Sequence, residues 1–412
     1  MSETPLRPVS SSERIELLDI LRGLALFGIL AANMRGFAGP AAAYFNPASY
    51  WPAFADRLAQ AFIDTFVQGK FITIFAFLFG LGFAVQLERS QARAGRFGWT
   101  YARRLAILLV IGFLHGLLIW WGDILLAYSV IGFVLLFFRK RADKTVAVWA
   151  AICLSFPILL MTGAFAAGAH EGLPAPTAAE IARITDVMAN GSWTQVQAQR
   201  LADVKTYNWS FVFIFAPNLL GLFLAGAYAW RKRLLLPSPE LLPRYRRAMI
   251  FGLSFGIAWN VILSLVRWFS QLPLMPATPT QLVLSGVGVF STLALSMGYI
   301  CAVILLAHDT AWHARLRVFA PLGRTALTNY LLQSVIGNLL FYGYGLGLFG
   351  RVGPALLLAM TFAIYAAQVA ASIWWLARYR FGPMEWVWRR LTYPGPLPMR
   401  REERAAGTAL AA

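Results

Sequence analysis

Cysteine is nearly absent: 412 residues contain two, Cys153 and Cys301. They lie far apart in sequence, each inside an apolar run, so neither a disulfide framework nor a CxxC metal site is available. Charge is also scarce, at 13% of residues, and lopsided, with 18 acidic residues against 36 Lys and Arg. A soluble domain needs about twice that charged fraction. The four histidines show no zinc spacing: His308 and His313 are five apart, and His170 stands alone. No metal site is therefore expected. There is no P-loop, dinucleotide fingerprint or G-x-S-x-G elbow, which leaves an ATPase or a lipase-like hydrolase without support. Arg7 and Arg14 precede a first apolar run that outlasts a signal-peptide core and lacks an A-x-A site. That run is expected to stay as an anchor.

Apolar sequence is what the chain has in plenty. Hydrophobic residues make up 59%, and the mean hydropathy is +0.61. A membrane-spanning helix needs roughly 20 mostly apolar residues. About ten windows approach that length, near 17–35, 66–87, 104–121, 123–138, 145–167, 209–230, 248–269, 281–307, 325–346 and 354–377. With ten spans both termini share one side. That side, with Arg22 just inside the first span, collects 28 of the 36 Lys and Arg. The other eight are Arg35, Arg57, Lys70, Arg183, Arg200, Lys205, Arg267 and Arg351. Cytoplasmic loops are the Lys/Arg-rich ones, so both termini are placed in the cytoplasm. The same sorting accounts for the net charge of +18 without nucleic acid, for which no basic stripe with interleaved aromatics is present. The expected fold is all-α, one polytopic membrane domain over 16–390, with tails at 1–15 and 391–412.

Two non-cytoplasmic segments exceed a turn. Residues 36–65 open on Gly and Pro signals and continue as an amphipathic helix through Phe54, Leu58, Phe62 and Phe66. Residues 168–208 hold two helical stretches split at Asn190-Gly191-Ser192, with Ile181, Ile184 and Met188 on one face and Ser192 as an N-cap. Both read as interfacial helices on the outer surface, either covering a cavity or simply lying there.

An ionisable group inside a span costs roughly 2.5–3.5 kcal/mol on the lenient scale, so each needs a reason. Asp19 and Arg22 are three apart and can pair on a helix. Asn33 follows eleven residues later on the same face, roughly 16 Å further along. The stripe reads as a buried pathway, or as an anchoring ion pair plus a helix-packing Asn. His115 sits deep in the third span, where it can act as a general base or hydrogen-bond a neighbouring helix. Asp123 follows at the outer turn, able to orient His115 or to cap the next helix. Gly80 and Gly82 read as close packing or as room for a ligand. Lys70 opens the second span and reads as snorkelling to the interface.

These positions resemble a known family. The run Arg14-Ile-Glu-Leu-Leu-Asp19-Ile-Leu-Arg22-Gly23, with Gly28 and Asn33, is similar to the first helix of YeiB-like bacterial membrane proteins. Their C-terminal half is domain of unknown function 418, here about 230–395. Further matches are Gly69-Lys70-Phe71, His115 with Gly122-Asp123, Gly323-Arg324-Thr-Ala-Leu-Thr-Asn329-Tyr330 with Gln333-Ser334, and Gly382-Pro383-Met-Glu385-Trp386. The first helix also resembles that of membrane acyltransferases, including polysaccharide O-acetyltransferases and heparan-glucosaminide acetyltransferase. That resemblance implies transfer of an acyl group from a cytoplasmic coenzyme A thioester to an acceptor across the membrane. In the O-acetyltransferases a catalytic His stands eleven residues after the Arg; here that position is Asn33. The lysosomal branch takes its His from a further eleven residues on, where this chain has Tyr44.

That departure leaves the acid–base residue unassigned, with His115 as its leading replacement, and the enzyme reading places the protein in the bacterial inner membrane. On that reading, Arg22, Arg103, Arg104 and Arg324 hold coenzyme A phosphates, His115 is the base and Asp123 fixes its tautomer. Asn33 is the oxyanion donor, and Asp19, Lys70 and Asn329 are further polar residues within the membrane. The acceptor is an envelope glycan or lipid. The alternative is a transporter or lipid-handling protein whose polar stripe lines a path.

Overall fold

A computed structural model describes residues 15–41, 50–92, 97–168, 177–235, 238–270 and 276–401. The ends of the two expected tails (1–14 and 402–412), Tyr44 and His170 lie outside these. Every regular element among the described residues is helical, as apolar stretches with no water to satisfy their backbone require.

The order is α1 (Glu16–Ala38), α2 (Phe54–Phe66), α3 (Lys70–Ala92), α4 (Phe97–Leu118), α5 (Leu125–Leu135, extended by a 3₁₀ turn to Phe138), α6 (Asp143–Ala166), α7 (Ala178–Asn190) and α8 (Trp193–Asp203). Then come α9 (Trp209–Arg231), α10 (Leu242–Phe269), α11 (Pro279–His308), α12 (Thr310–Leu316), α13 (Ala320–Arg324), α14 (Ala326–Phe341), α15 (Pro354–Arg378) and α16 (Pro383–Thr392). A helix lies over each of the ten expected windows. Seven spans among the described residues are long and apolar enough to cross a membrane on length and composition. The chain is an all-α polytopic membrane protein.

The breaks beside the shorter α5 and α14 are satisfied by protein instead of water. The last carbonyls of α4, just before α5, accept from α8: Gln197 bonds the Leu117 oxygen and Arg200 the Leu118 oxygen at 2.5 Å. The first N–H groups of α14 are met by Glu385 of α16. Broken helices at membrane depth are tolerated where protein covers the break.

Helix ends fall into two sets, as alternating spans demand. In one, Glu16 meets His313 and Arg317 at 3.0 Å each, Glu88 meets Arg233 at 2.5 Å, and Asp143 meets Lys232 at 2.7 Å. In the other, Arg57 donates to the Trp268 carbonyl at 2.6 Å, Asp56 accepts from the Ala355 N–H at 3.0 Å, and the Gly350 N–H donates to the Ala38 carbonyl at 2.7 Å. Helix α2 leaves Phe54, Leu58 and Phe62 exposed, as an interfacial helix does. Ser192 caps α8 in a full capping box with Gln195.

Two departures concern single segments. Residues 393–401, expected to be tail, fold back on the end of α15: the Arg380 N–H donates to the Met399 carbonyl at 2.9 Å and Arg401 N–H to that of Arg378 at 3.1 Å. Lys70 does not snorkel. It is 1% exposed, donating to the Asp64 carbonyl at 2.6 Å and to Asn260 Oδ1 at 2.7 Å. The acceptors come from α2 and α10, elements whose approach the local sequence does not announce.

Close approach of helices builds the frame around the site. A Cβ on Gly323 would stand 1.8 Å from the Asp19 carbonyl oxygen, so only glycine lets α13 lie on α1 beside the Asp19–Arg22 turn. Gly80 likewise admits the Phe223 backbone of α9 against α3.

Candidate functional site

Helix α1 presents Asp19 and Arg22 on one face, three residues apart, and they pair at 2.8 Å. Arg22 keeps 29% of its side chain accessible and faces a cavity of about 260 Å³. Its mouth carries Arg22, Arg89, Arg104, Arg324 and Arg389, and its deep walls are Leu26, Ile29, Phe75, Leu108, Leu125 and Tyr128. One end is cationic and the interior apolar. Gly82 lines the cavity opposite the Arg22 guanidinium, so the two glycines of α3 divide the readings offered for them: Gly80 packs and Gly82 leaves room.

Three elements shape the cationic end. Arg104 stacks on Trp388 of α16, its guanidinium carbon 3.9 Å from the ring centroid, and the Trp388 indole N–H donates to the Arg104 carbonyl at 2.8 Å. Glu385, one turn earlier, accepts from the Leu327 N–H at 2.6 Å, the Thr328 N–H at 3.1 Å and the Thr328 hydroxyl at 2.6 Å. A carboxylate there meets the positive end of α14. Burial pushes the Glu385 carboxyl above its ordinary value, and these donors offset only part of the rise. Asn329, on α14, donates to Ser372 and Thr325 and does not line the cavity.

The inner end of the cavity is closed by Tyr330 and Ile124. The Tyr330 ring lies 5.3 Å from that of His115, and its hydroxyl accepts from the Ile124 N–H at 3.3 Å. His115 is 1% exposed and lies outside the cavity wall. Its Nδ1 is 2.7 Å from Asp123 Oδ2, while Asp123 Oδ1 accepts from the Leu126 N–H at 2.8 Å. Asp123 therefore orients the histidine and caps α5 together. An ionised carboxylate can only accept, so Nδ1 carries the proton in neutral His115 and Nε2 is the basic nitrogen.

The structure thus brings Arg22, Arg104, Arg324 and Asp19 to one cavity, with the His115–Asp123 pair behind its inner wall. Arg103 is exposed and does not line the cavity: it sits about 100° round the helix from Arg104. Asn33 is half-buried and away from the cavity. Lys70 belongs to a separate buried network with Asn260 and Ser291. Sequence reasoning gave no site role to Arg89, Tyr330, Glu385, Trp388 or Arg389. Only Glu385 carried a usable signal, an acid in a helix's first turn, and its partner lies 57 residues away.

Comparison with known proteins fits the frame. The description "Protein of unknown function (DUF418)" matches residues 229–395. The chain is 35% identical over 405 residues to the uncharacterized protein YxaH of Bacillus subtilis (strain 168), covering 94% of this chain and 96% of that one. It is 30% identical over 403 residues to the uncharacterized protein YeiB of Escherichia coli (strain K12), covering 92% and 96%.

The chain belongs to the YeiB-like DUF418 family.

The DUF418 segment holds α10 to α16 and supplies Arg324, Tyr330, Glu385 and Trp388 to the cavity. Arg22, Arg104, His115 and Asp123 come from the part that precedes it, so the site of this family member is assembled from both.

Proposed function

We propose that this YeiB-like protein is a multi-pass inner-membrane acyltransferase. It takes an acyl group from a cytoplasmic acyl-CoA and delivers it to an extracytoplasmic or envelope acceptor, a glycan or lipid. The observation that carries the reading is the cavity: an arginine mouth and an apolar interior ending at Tyr330, against which His115 lies. Guanidinium forks suit phosphates, and the apolar interior suits a pantetheine arm and acyl chain. In the step itself the acceptor hydroxyl or amine gives its proton to His115 Nε2 as its oxygen or nitrogen bonds the thioester carbonyl carbon. The C–S bond then breaks and the thiolate takes the proton back. Tyr330 has to move aside for that contact.

Calorimetry and thermal shift of the purified protein with coenzyme A and short acyl thioesters test the donor. Binding is expected, weakened by salt and by Arg22→Ala, with Arg22→Lys restoring it only in part because an ammonium lacks the planar fork. Folded protein that binds neither coenzyme A nor any thioester would overturn the reading.

One observation favours a second reading, a lipid-handling protein without transfer chemistry: His115 is shut off from the cavity by Tyr330. Stoichiometric binding of an anionic amphiphile with no thioester turnover, unchanged in His115→Gln, would select it.

A further inference from the structure

Beyond Tyr330, on the side away from the donor cavity, a set of buried polar atoms has no partner in the protein. They are His115 Nε2, Ser334 Oγ and Asn338 Oδ1, with the Tyr342 hydroxyl at their outer end, where Arg200 is its hydrogen-bonding neighbour, and all four side chains are more than nine-tenths buried. The large majority of buried side-chain polar atoms have a hydrogen-bond partner in protein or bound water, so this cluster calls for a hydroxyl-bearing ligand or water.

The residues are ordered in space as in sequence. Tyr330, Ser334, Asn338 and Tyr342 follow at intervals of four, one helical turn each, along α14 and its C-terminal cap. That face meets the segment carrying His115. Tyr330 touches the His115 ring and receives the Ile124 N–H, and Asn338 Nδ2 donates to the Ile119 carbonyl at 2.8 Å. Ser334, fully buried, lies between them. The file leads toward the outer helices, where the Arg200 guanidinium of α8 lies 5.5 Å from the Tyr342 ring.

The atoms also say what they want. Neutral His115 with its proton on Nδ1, facing the Asp123 carboxylate, leaves a lone pair on Nε2. Asn338 spends its N–H₂ on a carbonyl, so Oδ1 offers another. Two acceptors need a partner that brings protons, which a phosphate, carboxylate or thioester cannot do. Ser334 and Tyr342 can both donate and accept. An alcohol suits all of them.

We propose that His115, Ser334, Asn338 and Tyr342 form an alcohol-binding acceptor subsite, entered from the outer helices and separated from the donor cavity by Tyr330. Its role as acceptor side rests on the acyl-transfer reading; the binding of hydroxyl groups does not.

X-ray radiolytic footprinting of the full detergent-purified protein tests it, because radiolysis labels a buried side chain where a bound water lies against it, and a hydroxyl-binding site holds water until an alcohol displaces it. Tyr330, Tyr342 and His115 are expected to label several-fold faster than Phe83 and Phe223, which are equally buried in an apolar cluster. Excess glycerol, the probe alcohol, should suppress that labelling more than it suppresses labelling of the exposed Trp99, which reports bulk radical scavenging. Ser334→Val should reduce it while melting and coenzyme A affinity stay as in wild type, and Ser334→Ala serves if the valine does not fold. Labelling no faster than Phe223 overturns the subsite. Labelling that glycerol leaves untouched reduces it to bound water and overturns the acceptor role. Coenzyme A binding is measured alongside, so failure of the donor reading shows separately.

Discussion

Asp123 carries two loads on two oxygens, and that decides what its substitution does. One oxygen accepts from His115 Nδ1 and the other from the Leu126 N–H. An amide has one acceptor oxygen, so Asp123→Asn must give up one of the two bonds. If the oxygen stays on Leu126, the N–H₂ faces Nδ1 and forces the proton onto Nε2, which removes the base. If it turns to Nδ1, the cap opens over a buried donor, at a cost of about 1–3 kcal/mol. Asp123→Asn is thus expected to lose activity if the cap is kept, or several degrees of melting temperature if the histidine bond is kept, and a variant unchanged in both would remove Asp123 from the two roles. His115→Gln should behave differently, losing about 10²–10⁴-fold in transfer rate with coenzyme A binding retained. Full activity in His115→Gln would remove it from the reaction. Part of this was legible: His115 and Asp123 stood out as costly residues near one turn. That Asp123 serves both proposed roles was not, because capping and orienting are alternatives in sequence and simultaneous only in space.

At the scale of elements, Glu385 holds α16 to the N-terminus of α14. Glu385→Ala strips three donors of their acceptor and is expected to destabilise the protein by about 1–3 kcal/mol. The Trp388 contact with Arg104 should loosen with it, read as a red shift in tryptophan emission and faster proteolysis at 383–401. Glu385→Gln should be milder, since its oxygen can still accept from the backbone N–H groups. Unchanged melting in Glu385→Ala would show that α16 is held by other contacts.

On the outer side, burial in α8 pushes the Asp203 carboxyl up to about 6, against the lowering pull of Gln199 and Arg200. The folded protein then holds this proton more tightly than the unfolded chain, whose Asp titrates near 3.9. Stability from this group is complete at low pH, falls as pH rises from about 4 to 6, and is level above that. Protection factors in α7 and α8, which remove the intrinsic pH dependence of amide exchange, should fall over that window, and Asp203→Asn should flatten the dependence. A slope that persists in Asp203→Asn assigns it to another group.

For the whole molecule, the 28-to-8 division of Lys and Arg predicts orientation. Reporters fused at the C-terminus and within 88–104 should read cytoplasm, and reporters within 175–205 the opposite side. A cytoplasmic signal from 175–205 would overturn the ten-span arrangement. The two sets of helix ends agree with alternation itself. The glycine contacts bear on the same scale: Gly323→Ala drives a methyl into the Asp19 carbonyl and should part α13 from α1, lowering both melting temperature and cavity affinity.

The amino-acid sequence by itself determined that the chain is helical and membrane-borne, where its helices run, and which residues are expensive enough to need a reason. These follow from hydropathy, periodicity and charge over windows of about 20 residues, all local quantities. Only the tertiary structure decided which costly residues meet. It brought Arg22, Arg104 and Arg324 to one cavity, left Arg103 and Asn33 out, and buried Lys70 against Asn260 from 190 residues away. It also set Tyr330 between the cavity and His115. Those outcomes depend on how helices cross, and crossings are fixed by contacts between distant residues such as Gly323 and Asp19, which no single window contains.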